Sequence, residues 1–136
     1  MNANIKKLIF PVLFIVLLYS CKPDDPLPID SIDGTWQVEE VSEVFGSQQY
    51  NVEISKSQDD STKIFIDNFY NLGWGNKVYG YVEDDYYISI PSQLIDDQTV
   101  SGNGEISDSY ELIDFVYAAN DGSGEIDSCT ATYTKK

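Results

Sequence analysis

Arginine and histidine are absent from this chain of 136 residues, and eight lysines are its only cationic side chains. Against them stand 23 acids, for a formal charge of −15. Without imidazole, Ser-His-Asp and Cys-His catalysis, histidine zinc sites and histidine pH switches are excluded. Without a cationic surface to neutralise phosphate, nucleic acid is excluded as a partner. There is one methionine and there are only two cysteines, Cys21 and Cys129. No apolar run approaches 18 residues, so no segment has the length of a membrane-spanning helix. The length itself sets a limit of one ordinary domain.

What is present begins with an address. Residues 1–7 carry Lys6 and Lys7 and no acid, and Leu8 to Tyr19 is an unbroken apolar run. Those twelve residues span about 18 Å as a helix, short of the ~30 Å hydrocarbon core. A charged start, a short apolar stretch and a small residue before the cleavage point predict a secretory signal peptide over residues 1–20. Leu18-Tyr19-Ser20-Cys21 resembles the bacterial lipobox, although Tyr19 is bulkier than that motif usually carries. The resemblance implies acylation of Cys21 with palmitate-type chains and anchoring in a membrane. More than one chain gives stable anchoring, because each buried methylene contributes about 0.8 kcal/mol. Lys22-Pro23-Asp24-Asp25-Pro26 is similar to the export signal of Bacteroidota surface lipoproteins. Lys22, Asp24 and Asp25 are the residues that carry this likeness, which implies an outer-membrane protein facing the exterior.

Cleavage before Cys21 leaves 116 residues with six lysines against 23 acids, a charge of −17. Such a charge keeps a domain soluble and favours neutral or cationic partners. If lipid consumes Cys21, Cys129 has no intramolecular partner, and the core alone holds the fold. Cys129, Ala131 and Tyr133 alternate with hydroxyl residues, which predicts a buried thiol on a strand's apolar face.

Residues 21–33 hold three prolines and four aspartates and predict an extended acidic tether. From Gly34 to Lys136 the chain reads as one small all-β domain. Strand-like stretches cover Thr35–Phe45, Tyr50–Ser55, Lys63–Phe69, Lys77–Glu83, Tyr86–Ile90, Gln98–Ser101 with Gly104–Ser107, Tyr110–Ala118 and Glu125–Thr134. Turn clusters fall at Ser57–Thr62, Asn71–Asn76, Asp84-Asp85, Ser101–Gly104 and Asn120–Gly124. No window has a helical period. Seven or eight short strands joined by tight turns predict an antiparallel meander, closed as a barrel or stacked as a sandwich.

Gly34-Thr35-Trp36 resembles the G-x-W signature of lipocalins and wider calycins, in which the tryptophan packs across the closed end of the barrel. The span Gly34 to Tyr133 is similar to small Bacteroidota lipoproteins with lipocalin-like barrels. The segments carrying this are Ile66-Asp67-Asn68-Phe69, Ile88–Gln93, Ser101–Gly104 and Asp127–Tyr133. The resemblance implies a lipocalin-like barrel of about eight strands with Trp36 at its closed end. Lipocalins also stack a late arginine over that tryptophan, and this chain has none. The barrel portion is shorter than theirs, so a smaller or filled interior is expected.

Candidate chemistry is sparse. Asp121-Gly122-Ser123-Gly124-Glu125-Ile126-Asp127 mimics the middle of an EF-hand, but the first and last ligand positions fall on Ala119 and Thr130. A Gly-rich hairpin turn explains it, and no metal site is expected. Paired acids recur at Asp24-Asp25, Glu39-Glu40, Asp59-Asp60, Asp84-Asp85 and Asp96-Asp97. Neighbours on a strand face opposite ways and four of the pairs fall in turns or tether, so solvated acids are expected rather than a glycosidase pair.

Aromatics are plentiful. Phe69 to Asn76 forms the longest loop and carries Trp74. If Val78, Gly80 and Val82 face inward, Tyr79 and Tyr81 share the outer face. Trp74, Tyr79 and Tyr81 therefore form a candidate recognition patch for a glycan or protein, weighed against plain cross-strand packing. The expected function is a lipid-anchored, non-enzymatic binding or accessory module needing no cofactor. The alternative is a periplasm-facing carrier of a small apolar ligand.

Overall fold

A computed structural model describes residues 28–84 and 86–136. The expected signal peptide, Cys21 and the Lys22, Asp24 and Asp25 signal lie outside the described residues. Eight antiparallel strands close into a barrel in simple sequence order. They are β1 (Gly34–Ser42), β2 (Gly46–Lys56), β3 (Lys63–Asp67), β4 (Lys77–Glu83), β5 (Tyr87–Ile95), β6 (Gln98–Ile106), β7 (Leu112–Asn120) and β8 (Ile126–Lys135). The closing pair sets Trp36 against Lys135 and Ser42 against Cys129. Period-two alternation sorts the side chains, with Val38, Val52, Ile64, Ile66, Val78, Ile88, Ile113 and Phe115 filling the inside.

Two departures from the sequence pattern shape the interior. Ser101–Gly104 is not a turn but the middle of β6, paired with residues 115–118 of β7. Gly102 and Gly104 are needed there because β7 comes so close. A Cβ on Gly102 would lie 2.4 Å from the Tyr117 Cβ and the Val116 carbonyl oxygen, and one on Gly104 would lie 2.5 Å from the Phe115 ring. The missing side chains leave the lumen to Phe115 and Tyr117. The hairpin falls instead at Asp96-Asp97, whose φ values of 46° and 62° suit a two-residue primed turn.

β5 also runs on past Ile90 to Ile95, with a register shift between Ile90 and Gln93. The β4–β5 ladder stops at Tyr81↔Ser89, and its next outer-face partner for Tyr79 would be Pro91, which has no N–H to give. The Gln93 side chain takes that place. Its Oε1 accepts from the Tyr79 N–H at 2.8 Å, and its Nε2 donates to the Tyr79 carbonyl at 2.8 Å and the Pro91 carbonyl at 3.0 Å.

One end of the barrel is sealed. Composition predicts an extended leash through Asp33, whereas Pro28–Ser31 is a single helical turn, α1, with Ile29 and Ile32 buried under the barrel. Ile32 turns its carbonyl to the Trp36 indole N–H at 2.9 Å, so the buried donor is satisfied. Lys135, near the end of β8, donates to the Ser31 carbonyl and holds its ammonium 5.7 Å from the Trp36 ring centre. A lysine thus lies over the indole that the lipocalin likeness would cover with arginine.

Candidate functional site

The opposite end, the mouth, gathers the β1–β2, β3–β4, β5–β6 and β7–β8 connections. Along the inner face of β1 the order from sealed end to mouth is Trp36, Val38, Glu40, Ser42, so the lumen changes from apolar to polar as it opens. Glu40 is only 1% exposed. The hydroxyls of Tyr50 and Tyr117 both donate to its Oε2, while its Oε1 has no partner. The Tyr133 hydroxyl beside it is likewise buried without a partner. Burial pushes the Glu40 carboxyl above its ordinary range, outweighing the two tyrosine donors, and the Asp127 charge adds to the rise.

Asp127, the first inward residue of β8, lies one step nearer the mouth. It accepts from Ser42 Oγ at 2.6 Å, the Tyr70 hydroxyl at 2.5 Å and the Val44 N–H at 3.1 Å. Burial alone would raise this carboxyl, but the three donors prevail and hold it below the usual aspartate range. Cys129 follows on β8, buried and free, and burial with the Glu40 and Asp127 charges pushes its thiol up to about 12. A thiol so disfavoured as thiolate is an inert packing group.

Across this polar layer lies the β3–β4 loop. Asn68, Tyr70 and Asn71 all have φ near +60°, which rolls Phe69 and Tyr70 inward over the lumen. The rings run in a chain: Phe45 to Tyr70 at 6.3 Å, Tyr70 edge-on to Tyr117 at 5.9 Å, and Tyr117 to Phe69 at 4.6 Å. Openings remain at the rim among the described residues. One of about 60 Å³ lies between Phe45, Tyr70, Gln98, Asp121, Glu125 and Asp127, and one of about 270 Å³ lies outside Phe45, Tyr70 and Leu72. A larger hollow of about 710 Å³ lies over Glu39, Val41, Asp114, Val116 and Thr130 of the outer sheet and borders Glu40.

The three candidate recognition residues separate. Trp74 is 62% exposed at the tip of the β3–β4 loop. Its turn is tightly tied, with the Gly73 N–H to Asn68 Oδ1 at 2.7 Å, the Gly75 N–H to Asp67 Oδ1 at 2.7 Å and Asn76 Nδ2 to the Leu72 carbonyl at 2.8 Å. Tyr79 and Tyr81 are half-buried on the outer face of β4, edge to face at 5.9 Å, with the Lys63 ammonium 4.6 Å from the Tyr79 ring centre. None of the ring contacts among the described residues joins Trp74 to this pair. The tyrosines thus have a packing role of their own, and Trp74 has no partner ring among the described residues.

Sequence reasoning missed Glu40, grouped with Glu39 as a solvated pair. The signal was the parity of Trp36, Val38, Glu40 and Ser42, which puts Glu40 inside and leaves Glu39 exposed. The 121–127 segment is the β7–β8 hairpin, and no cluster of three metal-ligating side chains occurs among the described residues.

No protein family and no curated protein matches this chain. Solved structures do share its fold. A redesigned β-barrel, b11L5F_LGL, superposes with a TM-score of 0.56 at 15% identity, over 81% of this chain and 96% of its own. EF1p2_mFAP2b, bound to DFHBI, gives 0.60 at 15% identity over 81% and 98%. The redesigned barrel mFAP1, also bound to DFHBI, gives 0.59 at 14% identity over 80% and 99%.

Proposed function

We propose that this chain is a lipid-anchored, non-enzymatic recognition module of the outer membrane that presents the mouth of its barrel outward. The observation that carries this reading is Trp74, a large apolar ring left in water on a turn held by three side-chain hydrogen bonds. Folding gains nothing from that exposure, whereas a rigid tryptophan is well suited to a sugar ring or a protein interface. Phe45, 65% exposed on the β1–β2 turn, lies at the same end. The N-terminal segment docks at the other end through Ile29 and Ile32, so a lipid on Cys21 would hold the sealed end toward the membrane and leave the mouth farthest from it. The likeness of Cys21 and Lys22-Pro23-Asp24-Asp25 to Bacteroidota surface lipoproteins supports the same orientation.

A second reading, a carrier of a small ligand, is favoured by the two similar barrels bound to DFHBI. Trp36, Phe69, Phe115 and Tyr133 fill the lumen here, so such a ligand would be taken at the mouth. Protease shaving of intact cells, with a periplasmic protein as leakage control, tests the location. Selective loss of this chain is expected; survival until the outer membrane is broken would reverse the orientation and favour the carrier. Binding to surface glycans or proteins is expected to be lost in Trp74→Ala with the melting temperature little changed. Unaltered binding would refute the role of Trp74.

A further inference from the structure

The polar mouth poses a charge problem that the chain does not solve from within. Two carboxyl groups, Glu40 at 1% exposure and Asp127 at 4%, lie in adjoining layers of the lumen. The described lysines are engaged elsewhere or lie at the sealed end. Lys56 pairs with Asp30, Lys77 with Asp67, Lys63 covers Tyr79, Lys135 covers Trp36, and Lys136 bonds the Thr35 carbonyl through its backbone. The sequence has no arginine or histidine to offer. A buried carboxylate is ordinarily paired or fully hydrogen-bonded, yet Glu40 Oε1 is buried with no donor.

We propose that the mouth of the barrel is a binding site for a small organic primary ammonium ion. Asp127 and the unpartnered Glu40 Oε1 would accept its N–H groups, and Phe45 and Tyr70 would flank its body. Each part of the ligand has a counterpart on the page. The rim opening of about 60 Å³ is about two water volumes, enough for an ammonium head and its first carbon. Phe45 and Tyr70 line the opening, and aromatic rings attract cations. Asp121 and Glu125 on the β7–β8 hairpin surround the entrance with negative charge and draw cations toward it. Glu40 does not line that opening, and to reach it an ammonium head would displace side chains around Asp127, among them Tyr70, whose hydroxyl bonds Asp127 and which sits in a turn with three residues in the left-handed region. Strained loops of this kind are drawn from the least stable parts of a fold. The site is independent of Trp74.

The test is calorimetric titration of the full-length chain in neutral detergent, at fixed ionic strength, with n-butylammonium chloride. Saturable binding is expected, at least about tenfold tighter than tetramethylammonium, which cannot donate, and with none for 1-butanol, which lacks charge. Asp127→Asn and Glu40→Gln should each weaken it about tenfold or more. No saturable binding, equal binding of tetramethylammonium, or unchanged affinity in both carboxyl variants would overturn the proposal. Should either variant fail to show a cooperative melt, Phe45→Ala on the exposed turn decides: weakened binding supports the site, and unchanged affinity overturns it. Trp74→Ala should leave the titration unaltered, which separates this site from the recognition surface.

Discussion

Removing the Gln93 side chain should cost this barrel more than removing any other half-exposed polar group on its outer surface. Three hydrogen bonds depend on it, two to the main chain of Tyr79 and one to that of Pro91. Each is worth about 0.5–1.5 kcal/mol net, and part of the loss is recovered where water reaches the partly exposed Tyr79. Gln93→Ala is therefore expected to destabilise by about 1.5–3 kcal/mol. In a domain of this size that lowers the melting temperature by about 6–12 °C. Gln93→Glu keeps an acceptor for the Tyr79 N–H but sets a carboxylate oxygen against the Tyr79 and Pro91 carbonyls, and should cost at least as much as Gln93→Ala. Because Gln93 occupies the place that Pro91 leaves empty in the ladder, the cost should shrink in a Pro91→Ala background, where a backbone donor is restored. Urea and thermal unfolding followed by circular dichroism measure all four variants as a double-mutant cycle. A Gln93→Ala change within about 0.5 kcal/mol of wild type, the scatter of ordinary surface substitutions, would refute the side chain as a strand surrogate.

Gly102→Ala places a methyl group 2.4 Å from main chain and Cβ of β7, so a loss of about 3 kcal/mol or more in urea unfolding is expected, against about 1–2 kcal/mol for Gly122→Ser, which has open space around it and is opposed only by the φ of +87°. Glu40 supplies the pH prediction. Its folded carboxyl titrates above the ordinary value of 4.5, so its favourable contribution is present below that value and is lost as pH rises through the folded pKa. Glu40→Gln should therefore gain stability over wild type as pH is raised from about 4.5 toward neutrality. Parallel unfolding curves for the two proteins across that range would show Glu40 to be fully compensated.

The sequence pattern was most legible where one face of a strand is buried and the other wet. Ile64-Ile66, Ile88-Ile90 and Ile113-Phe115-Tyr117 fall inside because period two leaves them nowhere else to go. It misleads where a residue's role is set by something across the lumen. Gly102-Asn103-Gly104 looks like a turn, since glycine and asparagine are the usual turn formers. Only the approach of Tyr117 and Phe115 reveals that these glycines make room. Pro28 to Asp33 looks like a leash by composition, yet Ile29 and Ile32, three apart, are the one apolar pair in it and form a helical plug. Glu40 was hidden by its neighbour. Read as a pair, Glu39-Glu40 suggests solvent; read by parity with Trp36 and Val38, it puts one acid in the core. In the turn that carries Tyr70 over the mouth, Asn68 and Asn71 are of a type that enters the left-handed region readily, and only the left-handed Tyr70 between them leaves no trace in residue type.

The most informative property of the chain is still what it lacks, because the absence has different consequences at the two ends. At the sealed end Lys135, the last residue of β8, holds its ammonium over the Trp36 ring and donates to the Ser31 carbonyl, tying α1 beneath the barrel. At the mouth two carboxyl groups share the lumen, and no described lysine pairs with either, since Lys77 at that rim is turned to Asp67. The hydroxyls of Ser42, Tyr50, Tyr70 and Tyr117 supply the hydrogen bonds instead. Hydroxyls satisfy acceptors without neutralising charge, so two of them with the Val44 N–H suffice for Asp127, and two fall short for Glu40, whose second oxygen is left over. If packing alone had shaped this layer, an apolar residue at position 40 would fill the space without that deficit. A glutamate there costs the barrel stability, and the ammonium ion proposed for the mouth would bring the donors and the charge that this layer lacks.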